Sequence, residues 1–167
     1  FTSVMPVTII GPHDNWNFNE SHVGGSLIHK CNLAKKNGTP LKIWGSGRAV
    51  RQFVYSLDVA RVILEVLKKY EDPETVIIAP DDGISIKTLA EAIAKAMDFK
   101  GELQFDSSQP EGELKRVLNG SKLKRLFPDF KFTPLDQTLK ATVQWFELNY
   151  DKINRHSRAS GNDVSKG

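Results

Sequence analysis

An α/β fold is what this sequence predicts, on two observations: several segments carry apolar residues at helical spacing, and short β-branched runs closed by glycine or proline alternate with them. The chain has 167 residues, 40% of them hydrophobic and 26% charged, enough for one domain around a single core. Residues 2–10 are β-branched and apolar and end at Gly11-Pro12, so a buried strand leaves a sheet there for a loop. That loop, residues 13–22, is long, polar and non-repetitive, the kind that more often serves function than connection. A helix is expected from Val23 to Lys36, stopped by Asn37-Gly38, then a short strand over Leu41–Trp44 and the turn Gly45-Ser46-Gly47.

After Arg51-Gln52-Phe53-Val54-Tyr55, Ser56 is placed to cap a helix with Asp58 in its first turn, where a carboxylate favours the dipole. Its apolar stripe is Val59, Val62, Ile63, Val66, Leu67 and Tyr70. Thr75–Ala79 read as a strand, and Ser85 opens a helix with Ile86, Leu89, Ile93 and Met97 on one face. Glu102–Phe105 alternate as a strand before a turn-rich loop through Gly112, and Ser121 starts a short helix. Thr133-Pro134-Leu135-Asp136 reads as a helix start with an N-cap and proline at the first position, followed by Leu135, Leu139, Val143 and Phe146 on the apolar face. Residues 1–154 are assigned to the folded part and residues 155–167 to a disordered polar tail.

Composition narrows the partners. No stretch approaches the roughly 20 apolar residues of a membrane span. The single cysteine, Cys31, forms no internal disulfide, which fits a reducing, cytoplasmic setting. The net charge is +3, and Arg155, Arg158 and Lys166 against Asp163 place +2 of it in the last 13 residues, so the body offers no nucleic-acid-binding face. His13, His22, His29 and His156 show no metal-ligand spacing with one another or with Cys31. A strand-linked Gly-x-Gly-x-x-Gly loop, the phosphate cradle of a dinucleotide site, is missing from these residues.

Several residues have both a chemical and a plain reading. His22, between the polar loop and a helix, can donate a proton to a ligand or simply stand at the helix start. Lys30, Arg51, Lys115 and Arg116 are far apart in sequence; they can converge on a diphosphate or remain solvated. Trp44, before a Gly-Ser-Gly turn, can stack on a base or sugar or pack in the core, and Glu111 can accept hydrogen bonds from a ligand or be an exposed turn acid.

Taken in order, Gly11-Pro12-His13-Asp14-Asn15, Ser21-His22-Val23, Trp44-Gly45-Ser46-Gly47, Arg51-Gln52-Phe53, Phe105-Asp106 followed by Pro110-Glu111-Gly112, and Trp145-Phe146 resemble the GDP-L-fucose synthase family of extended short-chain dehydrogenases/reductases. The resemblance covers residues 1 to about 150 and implies the substrate-binding, C-terminal part of such an enzyme, with the Rossmann half absent and the piece inactive alone. It implies that His22 protonates the sugar during epimerisation, that Lys30, Trp44, Arg51, Glu111 and Arg116 contact a GDP-sugar, and that Pro6, Val7, Thr8 and Ile9 touch the nicotinamide side of NADP. Val7 and Thr8 depart from the family's Pro-Thr-Asn, Arg116 stands where lysine is usual, and Gly24-Gly25 replaces a more apolar pair, which is expected to loosen the helix start. The implied reaction converts GDP-4-keto-6-deoxy-D-mannose to GDP-L-fucose by 3,5-epimerisation and NADPH-dependent 4-reduction, in an enzyme that is dimeric when intact. The alternatives are another NDP-sugar epimerase or dehydratase and a truncated, non-catalytic nucleotide-sugar-binding module.

Overall fold

The computed structural model describes residues 1–17 and 20–159, with side chains described as far as residue 154. In chain order the elements are β1 (Val4–Pro6), β2 (Thr8–Ile10), α1 (Val23–Asn37), β3 (Leu41–Trp44), β4 (Val50–Arg51), β5 (Phe53–Tyr55) and α2 (Ser56–Lys69). There follow β6 (Val76–Ile78), β7 (Ile84–Ser85), α3 (Ile86–Ala96), β8 (Leu103–Asp106), β9 (Lys115–Arg116), α4 (Ser121–Leu126) and α5 (Leu135–Ala159). The alternation is that of an α/β fold, and its pairings are mostly parallel.

The expected opening strand is two strands because its pairing changes. β1 runs parallel to β6 with Pro6 opposite Ile78, whereas β2 runs parallel to β5 with Ile9 opposite Val54. Proline has no N–H to donate, and the switch of partner comes directly after Pro6. β3 pairs with β8 in parallel, and β4 lies between β7, antiparallel, and β9, parallel. These last three strands are two residues long, and β7 and β9 are invisible to any periodicity argument.

The helix ends follow the local chemistry in part. Gly38 closes α1 in the left-handed region with φ 64°, which glycine adopts without strain. Ser85 caps α3, its Oγ accepting from the Thr88 N–H at 3.0 Å. Ser56, expected as a cap, is instead the first residue of α2. Asp58 lies in the first turn of α2 as expected, but it is 0% exposed and also accepts from the Thr133 N–H at 2.6 Å, the Thr133 hydroxyl at 2.9 Å and Arg61 at 3.3 Å. Thr133 therefore gives its hydroxyl to Asp58 rather than capping α5, whose first carbonyl acceptor is Pro134, bonded by the Thr138 N–H. With no glycine or proline from Leu135 to Ala159, α5 continues past the boundary expected at residue 154. Residues 160–167 of the expected tail lie outside the described residues.

Burial forms two apolar clusters where one was expected. α1, α3, α5 and β3 surround Ile28, Leu41, Ile43, Leu89, Ile93 and Phe146, while α2, β5, β6 and α4 enclose Val54, Val62, Val66, Val76, Ile78 and Leu123. The opening strands serve both: Ile10 belongs to the first cluster, and Val4 and Val7 pack on the second. Leu67 is 74% exposed despite its expected place in the α2 stripe. It lies about 100° round the helix from Val66, beyond the face that the sheet covers.

Candidate functional site

A cavity of about 730 Å³ lies beside the first two strands, where the pairing changes after Pro6. Pro6, Val7, Thr8 and Ile9 form one wall, the loop through Gly11 and Asn15 a second, and Arg51, Gln52, Arg116 and Leu118 a third, with His22 at its edge. Thus the strand-end residues, His22 and two of the four cations singled out in the sequence meet in one place. Arg51 and Arg116 meet because β4 and β9 run parallel in a register that sets them opposite each other, and partners in register present side chains to the same face. Arg51 is steadied by a hydrogen bond from Nη1 to the Val50 carbonyl at 2.8 Å. Lys115, opposite Val50, lines neither this cavity nor the next.

A second hollow of about 210 Å³ shares Arg51 with the first and is lined by Trp44, Glu111 and Val23 among others. Trp44 is 62% exposed, so its ring is not core packing. The Lys30 ammonium lies 4.5 Å from the ring centroid, and burial lowers the Lys30 pKa from its ordinary value. Glu111 is held rather than loose: the Ser46 hydroxyl donates to its Oε1 at 2.5 Å, and Arg48 Nε donates to the same Ser46 oxygen at 3.1 Å. The Ser46 bond first, then backbone N–H groups of the turn, keep the Glu111 carboxyl below its ordinary range. The turn depends on glycine at two points. Gly45 and Gly47 have φ 81° and 76°, and a Cβ at Gly47 would come 2.5 Å from the Phe105 ring.

The loop that delivers His22 is built differently. His22 stands at the N-cap position of α1 with extended φ and ψ, its carbonyl accepting from the Ser26 N–H at 3.0 Å, but its imidazole makes no capping bond. The side chain is exposed and leaves the helix start to the backbone. Asp14 accepts from the Asn15 N–H at 2.7 Å through Oδ1, while Oδ2 is buried without a hydrogen-bond partner among the described residues. Burial raises the Asp14 pKa above its ordinary value, against the opposing pull of the Asn15 N–H and the His22 charge. The loop is anchored by Trp16, whose ring packs at a tilt against Phe146 with centroids 4.7 Å apart, and by His29 Nδ1, 2.9 Å from the Trp16 carbonyl. His13 adopts φ 64°, uncommon for a residue with a side chain, and its ring contacts Trp145 at 4.4 Å.

Gly24 and Gly25 lie in the first turn of α1, against its neighbours. A Cβ at Gly24 would come 2.9 Å from Ile10, and one at Gly25 2.9 Å from the Asn15 carbonyl, so the pair lets the strand and the loop lie directly on the helix. Cys31 is buried and its thiol is pushed up to about 11, which makes it inert. Among the described residues no group of three metal-ligating side chains occurs, and no helix is long and apolar enough to cross a membrane. Asp14, Gln52, Ser56 and Leu118 line the larger cavity without having been given a site role in the sequence. One signal was available for Gln52: it shares a strand face with Val54, and a polar residue on a buried face needs partners.

Residues 1–79 match the NAD dependent epimerase/dehydratase family. The chain is 45% identical over 157 residues to a GDP-L-fucose synthase of Dictyostelium discoideum, covering 93% of this chain and 49% of that protein. To the GDP-L-fucose synthase of Escherichia coli K12 it is 32% identical over 163 residues, 92% of this chain and 50% of the relative. The crystal structure of a GDP-L-fucose synthetase from Naegleria fowleri bound to NADP matches 90% of this chain and 48% of its own, with a TM-score of 0.88 at 42% identity. The chain spans about half the length of the curated relatives it matches.

Proposed function

We propose that this chain, whose residues 1–79 match the NAD dependent epimerase/dehydratase family, is a member of the extended short-chain dehydrogenases/reductases and forms the sugar-nucleotide-binding part of a cytoplasmic GDP-L-fucose synthase. The observation that carries this reading is the junction of two cavities at Arg51. On one side lie the strand end, His22 and Arg116, and on the other Trp44, Lys30 and Glu111. The larger volume falls within the range of about 300–1,000 Å³ usual for small-molecule sites.

Arg51 and Arg116 hold the diphosphate, for which paired guanidinium forks are suited. Trp44 offers its open ring to the nucleotide, with Lys30 beneath it and Glu111 closing the opposite wall. The sugar then lies towards His22. In a 4-keto sugar the C3 and C5 hydrogens flank the carbonyl and are acidic; epimerisation removes each proton and returns one to the opposite face. The His22 imidazole, free of any capping bond, is the group that delivers a proton to carbon.

The nicotinamide end of NADP fits the wall made by Pro6, Val7, Thr8 and Ile9, which is apolar apart from the Thr8 hydroxyl and flanks the same cavity as His22. When bound, NADPH supplies the hydride for reduction at C4. These four residues would hold only that end of it, since none of the 167 residues forms a glycine-rich phosphate loop. Calorimetric titration with GDP and UDP tests the reading. GDP bound more tightly than UDP is the expected result; a preference for UDP moves the chain to another nucleotide-sugar epimerase, and binding of neither removes the site.

A further inference from the structure

Gln52 follows Arg51 directly and is 2% exposed, yet it is polar at both ends of its amide. Its Nε2 donates to the Pro80 carbonyl at 2.5 Å and to the Leu118 carbonyl at 3.0 Å, and its Oε1 accepts from the Leu118 N–H at 2.7 Å. The two bonds to Leu118 close a ring such as two paired strands form, with a side chain in place of one strand. One amide therefore joins the β4–β5 segment to the loop after β6 and to the segment after β9. The packing agrees, since a Cβ on Gly120 would overlap the Ala79 carbonyl.

The junction matters because the ladder beside it is so short. β4 and β9 share two register positions, Val50 with Lys115 and Arg51 with Arg116. A slip of one residue turns every side chain of a strand to the other face, and two positions do little to forbid it. Leu118 lies two residues beyond Arg116, so its two bonds to Gln52 pin β9 at the one register that sets both guanidinium groups on the cavity. Glutamate has no N–H to offer the two carbonyls, and methionine matches the length of glutamine without making any of the three bonds.

We propose that Gln52 is a positioning residue: its amide locks the register of β4 against β9 and thereby sets the spacing of Arg51 and Arg116 on the diphosphate of a bound nucleotide. The inference rests on the reading of those two arginines as the diphosphate site, and the test separates the two. Dissociation constants for GDP and GMP are measured by calorimetry on the 167-residue chain and on Gln52→Met and Gln52→Glu. The parent is expected to bind GDP at least about tenfold more tightly than GMP, because only GDP spans both arginines. Both variants keep Arg51 and Arg116, yet the preference is expected to fall to within about twofold. A variant that melts earlier but keeps the parental preference shows a merely structural glutamine and overturns the inference alone. A parent with no preference overturns the diphosphate reading and the inference with it. Amide exchange on the parent decides the matter if the variants do not fold. By reciprocal linkage GDP should slow exchange of the Leu118 N–H more than GMP does, and equal protection by the two overturns the proposal.

Discussion

Around Arg51, two-residue strands are tied by the Gln52 amide to Pro80 and Leu118, whereas the loop that carries His22 leaves Asp14 Oδ2, Trp16 Nε1 and Ser21 Oγ without hydrogen-bond partners among the described residues. The Gln52 amide of the first region has its partners before any ligand arrives. The second keeps buried polar groups uncommitted and holds His13 in the left-handed region, features that cost stability and that cluster where a protein binds or reacts. The contrast separates two tasks. Holding a diphosphate needs charges at a fixed spacing, and moving a proton needs a side chain that structure does not already employ.

The largest expected effect falls on the uncommitted side. In an enzyme assembled by joining this chain to the dinucleotide-binding half of a relative, His22→Gln should lower solvent deuterium incorporation at C3 and C5 by about 100-fold or more, the usual range of a general acid. The melting temperature of α1 should hardly move, since the imidazole caps nothing. Exchange at the parental rate would return His22 to a plain helix start. On the bonded side, Arg51→Ala should weaken GDP binding by about 10- to 100-fold, the loss expected of charge-assisted hydrogen bonds. Equal calorimetric constants for variant and parent would take Arg51 out of the site.

Smaller effects concern stability. Gly25→Ala places a methyl 2.9 Å from the Asn15 carbonyl, and chemical denaturation should register a loss of about 1–3 kcal/mol, as overpacking does. No loss would mean that the loop can lift away from α1. His13→Gly should be about 1 kcal/mol more stable than His13→Ala, because both lose the Trp145 contact and only alanine keeps the left-handed strain. The reverse order would show that this conformation is not strained.

The smallest effect is a pH dependence at Asp14. Its folded pKa lies above the ordinary 3.8, mainly through burial, so its contribution to stability is fullest below 3.8 and is lost as pH rises through the raised folded value. Asp14→Asn removes that loss. The variant should therefore gain on the parent across this window and keep the gain at neutral pH, as read from unfolding midpoints. A gain that grows on acidification instead would mean that Asp14 is a stabilising ionised group.

Much of the scaffold is legible in the residues themselves. Helical spacing locates α2, α3 and α5, Ser85 marks the cap of α3, and Asn37-Gly38 marks the stop of α1. The order of Gly-Pro-His-Asp-Asn, Ser-His-Val, Trp-Gly-Ser-Gly and Arg-Gln-Phe points to His22, Trp44 and Arg51 through its resemblance to a known family, since residue types taken singly leave each of them with a plain reading. Where they meet was decided by tertiary structure. Gln52 finds its partners 28 and 66 residues away, Asp58 finds Thr133 75 residues away, and β9 is a strand through its pairing with β4, 65 residues earlier in the chain. Periodicity and propensity reach a few residues along the chain. A buried amide or carboxylate must instead be satisfied by whatever the fold brings beside it, and here that requirement unites two distant arginines in one cavity.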